Sequence, residues 1–561
     1  MKPLLSFIVF LMSICSLNAQ NRLIYASYHQ GSQNGDTTYI EVMHHKQQIR
    51  IKNINNNIIN PIPGLSTDLV YVDYSIDSLF SQVSYPDENF FTAMRLHNER
   101  VTFTDEGKEK VNGYQCKKYR TSINSNTIEV WMTDKLGFDA TAQPGLGYLP
   151  GVMVKSVRNG SSVTELKEIE RQHDKDITII PNKLGTRCTP QTLSQIKKEK
   201  LVITIPIFKE EQIHFANIDK FEGQIPFDST IHFASGTVIL KRLKLQQLPP
   251  HYQVFAEIHQ KSNGDAYDRS ASVFVIPTDK AITLANALIK GKEILPIVKG
   301  KDGEEYQGIK KEHDYDPAIE LVRFFTPFGV GHYNERFSME GMDWSEEAYY
   351  KQDITDLAHL LDDDVIIGAF IGNYDGGGHI ISIDLRAYPG DYEWICSDKK
   401  KSMPLFNTCN VMEMAGQNYG KIFGTDTLTV EFEVTEEMHN LSLRYISTGH
   451  GGWGGGDEFN PKENIIMIDG KPCFTHTPWR CDCATYRELN PVSGNFWNGL
   501  TSSDYSRSGW CPGTATQPVY FNIDYLNPGK HTISIAIPQG PNEGGSFSHW
   551  MVSGVLLYEV R

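Results

Sequence analysis

The 561-residue chain has no basic surplus: 53 lysines and arginines face 68 aspartates and glutamates, a formal charge of −15. Binding a phosphate backbone draws on counterion release and needs cationic side chains in excess, so this balance argues against nucleic acid. Carbohydrate and peptide partners stay compatible with it. No segment after the N-terminus approaches the apolar length of a membrane-crossing helix, so no membrane span is expected. There is no Gly-x-Ser-x-Gly elbow to present a serine nucleophile, no His-Glu-x-x-His helix to hold zinc, and no internal repeat of propeller or solenoid type. Cys481-Asp482-Cys483 stands without a second cysteine pair or a spaced histidine pair, so no metal is expected there. His44-His45 falls in an alternating run, where adjacent side chains point to opposite faces.

What is present is an ordinary globular composition, 40% hydrophobic and 22% charged, long enough for three to four domains at about 150 residues each. Residues 1–19 read as an export signal: Lys2 supplies the charge, Leu4 to Leu11 the apolar run, and Ala19 the small residue before a cut ahead of Gln20. The predicted location is outside the cytoplasm, whether periplasmic, cell-surface or secreted. Loss of Cys15 with that signal leaves eight of the nine cysteines, an even number that suggests disulfides in an exported chain. Cys396 and Cys409 flank a Lys-rich loop they could close.

Short alternating runs dominate. Tyr39–Val42, Leu69–Val72 and Thr127–Trp131 have the period of half-buried strands and are separated by turn signals such as Asn34-Gly35 and Asn112-Gly113. Further strands are predicted at Val202–Ile205, Val238–Leu245, Val273–Ile276, Ile380–Leu385, Leu428–Val434, Thr532–Ile537 and Val552–Tyr558. One short helix is predicted at Ile354–Leu361 after Asp353. The reading is all-β: a β-rich domain over 20–190, a linker over 191–214, and two antiparallel sandwiches side by side, 215–392 and 393–561.

Three segments carry candidate chemistry. In Asn263-Gly264-Asp265-Ala266-Tyr267-Asp268-Arg269 a glycine turn puts two carboxylates and an arginine at the mouth of a strand, where loops tend to carry function. Glu458 lies in the glycine-rich stretch Gly449–Phe459, beside Trp453, where backbone can approach a ligand closely. Arg507 precedes Trp510-Cys511-Pro512-Gly513, and the tryptophans offer flat faces for sugar rings. Two carboxylates in different environments can divide acid and base work on water, and an arginine can stabilise charge on a reacting carbonyl oxygen. That set suffices to hydrolyse an amide or a glycoside without a cofactor.

Gly113-Tyr114-Gln115-Cys116-Lys117-Lys118, Glu129-Val130-Trp131 and Tyr148-Leu149-Pro150-Gly151-Val152 make the first domain resemble the GLPGLI family. From about residue 215 onward the chain resembles the bacterial peptide:N-glycosidase F family. The motifs are Asp265–Arg269, Arg323–Gly331, Asp353-Ile354-Thr355-Asp356, Tyr419-Gly420-Lys421, Leu443–Ser447, Asp457-Glu458-Phe459 and Arg507–Gly513, in that order. The resemblance implies two jelly-roll sandwiches with a cleft between them, and hydrolysis of the amide joining asparagine to the innermost N-acetylglucosamine of N-glycoproteins or glycopeptides. It implies catalytic roles for Asp268 and Glu458, basic cleft positions for Arg269 and Arg507, and aromatic substrate contacts at Tyr267 and Tyr374. The residues themselves add Arg507 to the catalytic set and Asp265, Trp453 and Trp510 to the expected substrate contacts. It also implies a bond from Cys511 to Cys483 or Cys481. The family's third acid falls at Gly372, with Asp375 as a nearby substitute. That departure leaves a non-catalytic glycan-binding protein on the same fold as the alternative. A copper monooxygenase on paired jelly rolls would need His and Met ligands, and His332, His379, His450 and His476 lack paired spacing.

Overall fold

The structure, a computed structural model, describes residues 20–30, 37–54, 67–97, 100–172, 178–249, 252–390, 400–418, 420–451, 455–541 and 546–560. The segment read as an export signal, Asn34-Gly35, Cys396, Tyr419 and Trp453 lie outside the described residues. The chain divides into two compact units, Met1–Leu201 and Val202–Arg561.

The first unit is built on one twelve-stranded sheet, a meander in which Gln20–His29 lies between Thr38–His45 and Ser162–Gln172. Asn112 and Gly113, at φ 50° and 86°, make the tight turn between Thr104–Val111 and Tyr114–Ile123. Positive φ at both central positions is what a right-twisted two-residue hairpin demands, and Asn-Gly meets it. His44 is buried and stacks on Phe138 at 4.3 Å, a packing role. The unit closes with the helix Pro190–Leu201, whose Leu193 packs against Val83 and Tyr85.

The second unit holds two antiparallel jelly-roll sandwiches. In the first, a four-stranded sheet (Ile203–Ile213, His379–Pro389, Tyr252–Ser262, Ala348–Asp353) faces a six-stranded one (Thr230–Phe233, Val238–Leu245, Asp363–Ile371, Ser270–Ile276, Ile319–Phe325, Ala515–Thr516). In the second, Lys400–Asn407, His549–Val560, Met438–His450 and Val519–Asn522 face Leu428–Val434, Gly529–Ala536, Asn464–Ile468 and Lys471–His476. Strict in–out alternation in Leu428–Val434 matches its apolar period: Leu428, Val430, Phe432 and Val434 are buried, the residues between them exposed. The expected helix after Asp353 is a 3₁₀ turn, Thr355–Leu360, and the Asp353 carboxylate accepts from the Thr355 amide at 2.9 Å.

Two boundaries need correction. Residues 191–214 are not a linker: they form the helix ending at Leu201 and then Ile203–Ile213, which pairs with His379–Pro389. The sandwiches are also not consecutive blocks of chain. Ala515–Thr516 adds to the first sandwich by pairing with Arg323 and Phe324. Alternation reveals that a strand exists but not which sheet it joins.

Charged groups are buried between the sandwiches. Glu320 binds Arg323, and its carboxylate accepts from Ser272 at 2.8 Å and from Ser553 at 2.6 Å. Arg323 donates to Thr448 and to the Met551 carbonyl, and Arg444 donates to the Glu320 carbonyl at 3.0 Å. The three side chains are essentially inaccessible to water. A buried pair stripped of one member leaves an uncompensated charge. Glu320→Ala should therefore lower unfolding free energy by about 3–5 kcal/mol, and Glu320→Gln by less, measured by chemical denaturation of the full chain.

Candidate active site

The turn carrying Asp268 is fixed by hydrogen bonds at both ends. Gly264 sits at φ 144°, and a Cβ there would lie 2.8 Å from Asp375 Oδ1, so a side chain is barred twice over. Ser262 Oγ donates to the Asp265 carbonyl at 2.6 Å, and Tyr333 donates to the Gly264 carbonyl at 2.6 Å. Beyond the turn, Thr326 Oγ1 accepts from the Arg269 amide at 2.8 Å and donates to the Tyr267 carbonyl at 3.1 Å.

Glu458 and Arg507 come from adjacent loops of the second sandwich that brace each other. The Ser508 amide donates to the Glu458 carbonyl at 2.9 Å, Ser508 Oγ to the Asp457 carbonyl at 2.6 Å, and the Gly449 amide to the Ser508 carbonyl at 3.0 Å. Asp457, fully buried, accepts from Trp550 Nε1 at 2.7 Å and from the Gly540 amide at 3.0 Å. On the other side, Arg507 and Arg480 exchange backbone hydrogen bonds of 2.8 and 3.0 Å. The Cys483–Cys511 disulfide ties the same segment down; of the two partners left open for Cys511, it is Cys483. Cys409 is a free, buried thiol, and its expected partner Cys396 lies outside the described residues.

These elements bring the three predicted residues together. Arg507 Nε donates to Glu458 Oε1 at 2.9 Å and its Nη2 to Asp268 Oδ2 at 3.2 Å. The remaining donors go to Ser502, through its carbonyl at 2.7 Å and its Oγ at 3.1 Å, and to the Tyr505 carbonyl at 3.5 Å. The guanidinium lies between the rings of Phe459 and Trp510, 5.1 and 4.7 Å from their centroids. Arg507 is 1% exposed, whereas Asp268 and Glu458 keep 16% and 19% of their side chains open. A ligand therefore meets the acids, and the arginine acts through them.

Two acids share one cation, so full ionisation would leave net negative charge in a dehydrated place. Burial pushes the Asp268 carboxyl up to about 7, with Arg507 opposing and the Glu458 charge adding to the rise. Burial also raises Glu458, against the pull of Arg507. Asp265, three residues from Asp268, goes the other way. Burial would raise it, but His379, 3.5 Å away, and Arg269, paired at 2.7 Å, outweigh that and hold it at about 2.

Several predicted contacts need correction. Asp265 is 1% exposed, with its oxygens accepting from Arg269 Nε at 2.7 Å and the Tyr267 amide at 3.0 Å. It anchors the turn and has no free face for substrate. Trp510 is buried, stacked on Phe325 at 4.3 Å, with its Nε1 bonded to the Gly449 carbonyl at 3.0 Å. It supports Arg507 instead of a sugar. Asp375 turns inward, its Oδ1 accepting from the amides of Gly377 and Gly378 at 2.7 and 2.9 Å, so it does not replace an acid at Gly372. Tyr267 and Tyr374 are 61% and 59% exposed and flank Arg269 at 5.0 and 5.9 Å from their rings, a surface suited to sugar stacking. Sequence reasoning missed Ser502, Phe459, His379 and Asp457. Asp457 and Phe459 carried a signal, as the neighbours of Glu458 in a quoted motif, and His379 figured only as a candidate copper ligand.

Comparison with known proteins gives three family models: peptide-N-glycosidase F, N terminal, over residues 204–387; peptide-N-glycosidase F, C terminal, over 418–557; and N-glycanase peptide, N-terminal domain, over 25–188, in place of the GLPGLI family expected for that segment. Two crystal forms of PNGF-II are each 40% identical and match 97% of this chain. They cover 100% and 98% of their own chains, at TM-scores of 0.83 and 0.78. PNGase F, a glycosylasparaginase from Flavobacterium meningosepticum, is 17% identical over 64% of this chain and 96% of its own, at a TM-score of 0.41. No curated protein matches.

The raised Asp268 carboxyl has a consequence for stability. Between the ordinary aspartate range and about 7, the folded protein keeps a proton that the unfolded chain has lost, so stability falls as pH rises through that window. Asp268→Asn should raise the melting temperature at about pH 8 and leave it unchanged at about pH 4, read by paired thermal melts.

Proposed function

Because the chain belongs to the peptide-N-glycosidase F family, we propose that it is a peptide-N4-(N-acetyl-β-glucosaminyl)asparagine amidase acting on N-glycosylated proteins or glycopeptides. The observation that carries this reading is the cluster of Asp268, Arg507 and Glu458, drawn from both sandwiches and partly open to solvent. Water adds through its oxygen to the side-chain carbonyl carbon of the glycosylated asparagine, the carbon–nitrogen bond breaks, and the nitrogen leaves with the sugar as a glycosylamine. The asparagine becomes aspartate. An amide nitrogen is a poor leaving group unless protonated, and a carboxyl that keeps its proton to about 7 is placed to supply one. Asp268 is that acid and subsequently a base. Glu458 orients water or substrate. Arg507 offsets charge developing beside the two acids.

The signal-like residues 1–19 and the Cys483–Cys511 disulfide favour an exported enzyme. Its substrate would then be glycoprotein encountered outside the cytoplasm.

Asp268→Asn should remove turnover of a purified glycopeptide while leaving the far-ultraviolet circular dichroism unchanged. Mass spectrometry of the recovered peptide reads the conversion of Asn to Asp. Wild-type-like conversion by the variant would reject the assignment. The pH profile of kcat/KM should fall above about 7. In Glu458→Gln that limb should move to lower pH, because the negative charge of Glu458 helps raise Asp268.

A further inference from the structure

Strand Asp363–Ile371 runs beside Ser270–Ile276, so that Gly372 lies next to Ser270, two residues past Asp268, and its amide donates to the Ser270 carbonyl at 3.0 Å. Gly372 is not held at positive φ, so the glycine is not required by backbone conformation. Its surroundings are full instead. A Cβ there would stand 3.0 Å from Phe370 Cζ and 3.2 Å from Glu413 Oε2. Glu413 comes from the second sandwich, in the 3₁₀ turn Glu413–Ala415 after strand Lys400–Asn407. Its Oε2 accepts from Asn410 Nδ2 at 2.8 Å, and its Oε1 accepts from the Tyr374 hydroxyl at 2.5 Å.

Tyr374 is the exposed ring on one flank of Arg269, with Tyr267 on the other, and Phe215, also exposed, lies 6.2 Å from it. Arg269 acts electrostatically on both Glu413 and Asp268, so this carboxylate belongs to the same field as the reacting cluster. An acceptor-only group at the foot of exposed aromatic rings is the usual means of reading sugar hydroxyls, with rings covering the apolar face and carboxylate oxygens taking the O–H donors.

We propose that Glu413 and Tyr374 form a saccharide subsite beside the reacting cluster, in which the Glu413 carboxylate accepts hydroxyls of the innermost sugar. The missing side chain at Gly372 is what leaves it room. This proposal rests on the amidase reading and adds to it a specificity-determining residue supplied from across the interface.

The test uses the full chain and one purified tryptic N-glycopeptide. Glu413→Gln keeps the shape and one oxygen to accept from the Tyr374 hydroxyl, and replaces the oxygen that meets Asn410 Nδ2 with an NH2 group that cannot accept. It should raise KM about tenfold with kcat within about threefold of wild type. Gly372→Ala, which crowds the carboxylate, should move KM the same way. Isothermal titration of that glycopeptide with Asp268→Asn, and with the same variant also carrying Glu413→Gln, should show a matching loss of affinity that a purely structural role would not produce. Unchanged KM and affinity in Glu413→Gln, with wild-type turnover intact, would overturn the subsite alone, as would a fall confined to kcat. A wild-type protein that binds the glycopeptide but never converts Asn to Asp would reject the amidase reading, and the subsite would then be judged by the titration.

Discussion

The site turns on a single buried guanidinium shared by two partly buried acids from different sandwiches. Removing carboxylates from water is expensive, and attraction to a cation offsets that cost only when the geometry is fixed and the other donors are satisfied. Arg507 meets both conditions: Ser502 and the Tyr505 carbonyl take its spare N–H groups, and Phe459 and Trp510 hold its plane. The count of charges then does chemical work. With one cation for two acids, burial leaves a proton on the pair near neutrality, and that proton is what an amide leaving group needs.

How Asp268 comes to face Arg507 follows from sheet topology. Strand Ile319–Phe325 pairs on one side with Ser270–Ile276, which continues from the Asp268 turn, and on the other with Ala515–Thr516, which follows the Arg507 segment. The two residues are thus carried by strands flanking a common neighbour, although 239 positions separate them. The same central strand supplies Glu320 and Arg323 to the buried network beneath. Scaffold and site therefore share one strand, and a shift in its register would move the acid and the arginine relative to each other.

Much of the β architecture was legible because half-buried strands impose a period of two on the sequence. Val238–Leu245 appears with the bounds predicted for it, and Leu428–Val434 buries alternate residues. What alternation lacks is partner identity. Residues 203–213 looked like the edge of a linker because the strand is interrupted by register shifts and charged residues. The site showed the same limit. Asp268, Glu458 and Arg507 were identifiable from local motifs and a family resemblance. Trp510, by contrast, was assigned to a sugar because an aromatic beside a glycine gives no sign of which way it faces. Glu413 was invisible: its neighbours are ordinary, and its meaning comes only from Gly372, 41 positions earlier and in the opposite sandwich.

Asp265 and Asp268 show why residue type alone does not identify a reactive group. They are the same amino acid, three positions apart, in one turn and beside the same Arg269. Asp265 faces inward, where the Arg269 guanidinium and the Tyr267 amide supply donors and His379 lies close enough to help overcome its burial, and it is held at about 2. Asp268 receives one N–H from an arginine already engaged by another acid, and it is held at about 7. Burial acts on both. The supply of donors decides which becomes a permanent anchor and which keeps an exchangeable proton. The anchor in turn fixes the backbone from which the reactive acid projects, so the inert aspartate is a condition of the reactive one.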